Sequence, residues 1–77
     1  MNKQRRMRLD EAHSKLLEAQ EIIEEVMNEE QDAFDNLPES LQGSERGEQM
    51  EEYIGTMQDA YDGIDEFMCN LYEIIEG

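Results

Sequence analysis

A chain of 77 residues has room for one small domain, and such a domain buries too little surface to stand comfortably alone without a disulfide, a metal or a second subunit. One cysteine, Cys69, excludes an internal disulfide and suits a reducing compartment, and a single histidine, His13, leaves no ligand set for structural zinc. Six Lys and Arg against 21 Asp and Glu give a formal net charge of -15, which argues against a phosphate-binding surface and so against direct nucleic-acid binding.

The charge is unevenly placed. Residues 1–15 carry Lys3, Arg5, Arg6, Arg8 and Lys15 against Asp10 and Glu11, whereas residues 16–77 carry nineteen acids and a single cation, Arg46. No apolar run approaches the roughly 20 residues of a membrane span. The basic start leads into amphipathic sequence where a signal peptide would have an apolar block. A soluble, cytoplasmic protein is expected.

From Leu9 the apolar positions step alternately by three and four: Leu9, Ala12, Leu16, Ala19, Ile23, Val26, Glu30, Ala33, Leu37. That is a heptad seam and predicts a first helix over about residues 5–36. With the seam written as a and d, the a positions are large and the d positions mostly alanine. Glu11, Glu18, Glu25 and Asp32 then fall on every c position as a carboxylate stripe, and His13, Gln20, Met27 and Phe34 occupy e. Glu30 is the one acid on the seam, where a hydrogen bond to the Tyr53 hydroxyl is expected.

Pro38 ends the first pattern, and residues 37–44 form a turn. Leu37 and Leu41 are expected to close the end of the core, and Ser40, Gln42 and Arg46 to offer a polar contact patch. Ser44 is a good N-cap, with Glu45 and Glu48 where the helix dipole favours acids.

A second helix over about residues 45–75 repeats the pattern with Met50, Tyr53, Met57, Ala60, Ile64, Phe67, Leu71 and Ile74 as its a/d seam. Beside it lies a second row at e: Ile54, Tyr61, Met68 and Ile75. Glu45, Glu52, Asp59, Glu66 and Glu73 form a matching c stripe. Gly55 and Gly63 weaken this helix by about 1 kcal/mol each relative to alanine, and Gly63 is placed to let another chain approach.

Two helices of matched length joined by a short turn predict an all-α, coiled-coil-like antiparallel hairpin as one domain over residues 1–77. The pairing sets the basic start of the first helix near Glu73 and Glu76. It leaves Met27, Phe34, Ile54, Tyr61, Met68 and Ile75 as an apolar face in water, too large for a small monomer. An antiparallel homodimer forming a four-helix bundle would cover it; a groove for a partner's hydrophobic segment is the alternative. Outward-facing acids do not make a di-iron site, and no nucleophile–base pair, phosphate loop or calcium loop is present. Neither enzymatic activity nor a metal or other cofactor is expected.

The acidic exterior either keeps a small bundle soluble or imitates phosphates. Duplex DNA carries one charge per about 1.7 Å of axis. A dimer with twice nineteen acids along a bundle of roughly 45 Å has about one per 1.2 Å. Such a surface could occupy the basic channel of a nuclease, a restriction or CRISPR effector or a nucleoid protein.

The run Asp32-Ala33-Phe34-Asp35-Asn36-Leu37-Pro38-Glu39-Ser40-Leu41-Gln42, followed by Ser44-Glu45-Arg46-Gly47-Glu48 and Met50-Glu51-Glu52, resembles a group of short, acidic, uncharacterised helical proteins encoded by bacteriophages and prophages. The similarity covers roughly a third of the chain, and no activity comes with it. It implies a bacterial cytoplasm and a phage-encoded accessory protein acting on a host or defence protein, whereas binding and inhibition of such a protein through its basic surface is what the acidic exterior leads one to expect.

Overall fold

The computed structural model describes residues 1–77. It is all-α, 90% helical and without strands. Helix α1 spans Lys3–Asp35, a single helical turn α2 spans Glu39–Gln42, and α3 spans Glu45–Glu76. The molecule is a rod of 58 × 14 × 13 Å with a radius of gyration of 17.4 Å, where a globular chain of this length would have about 11.5 Å.

Each boundary has a local cause. Asn2 caps α1, its side-chain oxygen accepting from the Arg5 amide at 2.9 Å. The helix ends at Asn36, whose N–H donates to the Asp32 carbonyl at 3.0 Å. Pro38 then starts α2, a role that its fixed φ suits. Where sequence alone suggests a plain turn, the Leu41 and Gln42 amides both donate to the Pro38 carbonyl, at 2.8 and 3.2 Å, winding it into one helical turn. Ser44 is the N-cap of α3 and accepts from the Gly47 amide at 3.4 Å, while its hydroxyl donates to the Leu41 carbonyl. Glu45 and Glu48 occupy the first turn of α3.

Gly47 is buried, with a negative φ, so glycine is required there for space alone. A Cβ would sit 2.6 Å from the Gln42 carbonyl carbon and 2.7 Å from the Leu41 oxygen. The backbone of α2 is pressed onto the first turn of α3. Gln42 fastens the other side, its amide donating to the Leu37 carbonyl at 3.2 Å and to the Phe34 carbonyl at 3.5 Å. The Phe34 carbonyl, in the last turn of α1, also accepts from the Leu37 amide at 3.0 Å, and Leu37 lies just beyond the helix. Half-buried and so engaged, Gln42 is not free for the contact patch expected with Ser40 and Arg46. Leu37 is half-buried as expected, but Leu41 is 44% exposed and closes no core.

Helix α1 packs on α3 along the rod. The Gln20 amide reaches the Tyr61 carbonyl, and His13 lies against Tyr72 with ring centroids 6.4 Å apart. Early residues of α1 therefore meet late residues of α3, and the two helices run in opposite directions.

The buried seam differs from the one that the sequence suggests. Positions a and e, not a and d, face the other helix. Met50 and Met68 are buried, and Leu9, His13, Leu16, Ile23, Met27, Phe34, Ile54, Met57, Tyr61, Ile64, Leu71 and Ile75 are partly so. Met27, Phe34, Ile54, Tyr61, Met68 and Ile75, expected to lie open to water, thus line the contact between the helices, Met68 buried and the other five half-buried. The d row is the more open one: Val26 is 45% exposed, Tyr53 52%, Phe67 58% and Ile74 43%, while Ala12 and Ala19 are half-buried. The cause is size. In α1 the d row is Ala12, Ala19, Val26 and Ala33, whereas the e row offers Met27 and Phe34, so turning e inward removes more apolar area from water.

Candidate functional site

Consecutive residues of a helix are rotated by about 100°, so c lies about 180° from the midpoint between a and e. The a/e seam therefore aims the carboxylates of Glu11, Glu18, Glu25 and Asp32 straight away from α3, and those of Glu45, Glu52, Asp59, Glu66 and Glu73 straight away from α1. All nine are exposed. The stripes run along the two opposite long edges of the rod, and the structure does not bring them together on one surface.

The remaining positions make two broad faces, which differ sharply. For helices running in opposite directions, like heptad positions fall on the same side of the plane through both axes. Gln20 at e reaching the Asp65 carboxylate at b, 3.4 Å away, and His13 at e lying against Tyr72 at b show that side directly. On this b/f face stand nine further exposed acids: Asp10, Glu21, Glu24, Asp35, Glu48, Glu51, Asp62, Asp65 and Glu76. It also carries Leu17 and Tyr72, 43% and 54% exposed, and the exposed thiol of Cys69. The opposite d/g face has one acid, Glu29. Its middle is apolar, with Ile22 59% exposed beside Val26, Tyr53 and Phe67. Its cations sit toward the ends, Arg5, Arg8 and Lys15 at one and Arg46 at the other.

The basic tip makes no ion pair with Glu73 or Glu76. The one ion pair in the molecule joins Lys15 to Glu11 at 3.4 Å, one turn apart on the surface of α1, where such a pair is worth at most a few tenths of a kcal/mol. Glu30 is half-buried but makes no hydrogen bond to Tyr53, because the seam turns the d position outward. No group of three His, Cys, Asp or Glu side chains is placed to hold a metal ion. A shallow depression lined by His13, Asp65, Met68, Cys69, Tyr72 and Glu73 brings a thiol, an imidazole and two carboxylates into one neighbourhood, without a hydrogen bond among them.

Gln20 is the residue whose importance periodicity hides. It is 5% exposed, and its amide donates to the Tyr61 carbonyl at 3.1 Å and to Asp65 at 3.4 Å. A polar residue at e reads as a flank when e is taken as a flank. The signal that could have located it is its spacing of seven from His13 and Met27, in a row otherwise able to be buried. No helix is long and apolar enough to cross a membrane. No protein-family model, curated protein or solved structure matches this chain.

Proposed function

We propose that this protein acts without catalysis, binding a basic protein surface through its carboxylates, and that its target is a nucleic-acid-handling protein whose phosphate-binding channel it occupies. The observation that carries this reading is the enclosure of the rod by acid on three of its four sides: both c edges and the whole b/f face. Such a field steers a cationic partner and strengthens as the charges are aligned. The resemblance of the turn region to phage-encoded acidic proteins supports a host or defence protein in a bacterial cytoplasm as the target.

Charge density bears on the form in which it acts. One copy carries 21 acids along 58 Å, about one per 2.8 Å, against about 1.7 Å for duplex DNA. Two copies side by side reach about 1.4 Å. The acting species is therefore a four-helix bundle of two hairpins. A second reading, an adaptor whose output is assembly itself, is favoured by the apolar middle of the d/g face.

The test is capture of basic nucleic-acid-binding proteins on the immobilised chain across a salt series, with duplex DNA as competitor. Binding is expected to fall steeply with salt and to be displaced by DNA. Reversing Glu18, Glu25, Glu52 and Glu66 to lysine should abolish it. A captured protein that holds DNA and this chain at once, or capture indifferent to the reversal, would rule out the phosphate-imitation reading.

A further inference from the structure

We infer that the d/g face is the surface on which a second copy of this chain docks, with α1 of one copy lying on α3 of the other. The inference deepens the assembly named above by assigning its face and its arrangement.

Surface area is the first argument. A folded monomer of 9.0 kDa exposes about 4,850 Å². This one exposes 5901 Å² and buries only two hydrophobic residues, Met50 and Met68, neither of them completely. The excess of about 1,000 Å² is close to the roughly 800 Å² that each partner contributes to a standard interface.

Charge is the second. Two bodies each of net charge -15 repel on every side that carries acid, and the d/g face is the one side with a single carboxylate. Its flanks also complement a second copy. Arg8 and Lys15 at g reach outward at the level of Glu66 and Glu73, so α1 laid on α3 of another copy sets these cations beside those acids.

Shape decides the arrangement. With a/e as seam, d points out of the face almost perpendicularly. The d row of α3 is large, with Tyr53, Phe67 and Ile74, and that of α1 is small, with Ala12, Ala19 and Ala33. Contacts of His13 with Tyr72 and of Gln20 with Tyr61 set the levels: Phe67 stands level with the gap between Ala12 and Ala19, and Tyr53 with the gap between Val26 and Ala33. A two-fold axis parallel to the rod lays α3 on α1 of the other copy at those same levels. Each large side chain then enters a space between small ones, which is how facing helices interlock. An axis across the rod would set Tyr53 and Phe67 against each other and alanine against alanine, leaving voids.

Sedimentation equilibrium of the full chain, in about 0.5 M salt to screen its charge, tests this. Twice the chain mass is expected. Phe67→Asp and Ala19→Asp should each weaken association at least about 30-fold, while Leu17→Asp, on the opposite face, leaves it intact. Phe67→Ala, which keeps a strong helix former, reads the same contact if the charged variants lose helicity. Ala19→Phe fills the space that Phe67 of the second copy requires and should also weaken association. A monomer at roughly 0.5 mM overturns the proposal, as does dissociation by Leu17→Asp with Phe67→Asp silent. Tighter association of Ala19→Phe would overturn the α1-on-α3 arrangement. A monomer whose capture still depends on the c stripes would sink the pairing alone. A dimer indifferent to them would sink the acidic-surface reading alone.

Discussion

Single residues in this protein act through space more than through conformation. Gly47 shows this most plainly: the carbonyls of Leu41 and Gln42 leave no room for a methyl group. Gly47→Ala must push α2 off α3, and a loss of about 1–3 kcal/mol is expected in urea denaturation. Gly55 and Gly63 are the opposite case, since a Cβ at either meets nothing within 4 Å. Alanine at Gly55 should stabilise α3 by about 1 kcal/mol. Gly63→Ala should do the same at micromolar concentrations, and a loss of association specific to this variant would show that the second copy comes close at that point. Gln20 is different again. Its buried amide holds α1 in register against Tyr61 and Asp65. Gln20→Leu should change stability by no more than about 1 kcal/mol, because an apolar replacement avoids desolvating the amide, yet it should speed amide exchange in the middle of both helices as the alignment loosens.

At the scale of elements, the connection is better ordered than a loop of its composition needs to be. Ser44 caps α3, Gln42 donates to the Leu37 carbonyl just beyond α1, and Pro38 begins the turn between them. Removing either side chain, as Ser44→Ala or Gln42→Ala, should cost about 1 kcal/mol, and thermal unfolding followed by circular dichroism would read both. The helix ends at the other tip are arranged against the dipole. α1 has no acid in its first turn and α3 no base in its last; the cations Lys3, Arg5 and Arg6 begin one, and Glu73 and Glu76 end the other. Since no ion pair joins them, charge there opposes helix stability. Lys3→Glu is expected to raise helicity at low salt, an effect that should fade as salt is added. The basic tip is therefore not explained by the folding of α1; Arg5 and Arg8 lie on the d/g face, whereas Lys3 at b and Arg6 at e do not.

For the whole molecule, the segregation of charge makes salt a diagnostic variable. Self-repulsion of a chain of net charge -15 falls as the screening length shortens, so the midpoint of thermal unfolding should rise between about 10 mM and 0.5 M salt. Association of copies through a face with an apolar middle and a single acid should strengthen over the same range as their mutual repulsion is screened, and binding to a basic partner should weaken. The opposite signs separate the two surfaces in a single titration. If the folded state is a pair, its unfolding midpoint should also rise with protein concentration; a midpoint independent of concentration would mark a protein that folds alone.

The helices and the charge were legible in the chain itself. Two sustained seven-residue repeats, Ser44 before Glu45 and Glu48, and Pro38 between the repeats follow from local chemistry, because a helix and its caps are decided by neighbours three and four residues away. The c stripes were legible for the same reason. What periodicity could not decide was which row is buried. An a/d seam and an a/e seam both step by three and four, so Leu9, Leu16 and Ile23 fit either one, and the choice between Ala19 and Gln20, or Ala33 and Phe34, depends on what stands across from them. The tertiary structure chose e because larger side chains on α1 leave water there, and because Gln20 finds the Tyr61 carbonyl. That rotation of each helix enclosed Tyr61 and Met68 and opened Tyr53 and Phe67. It also turned the acid stripes to opposite edges and left one face with a single carboxylate, Glu29.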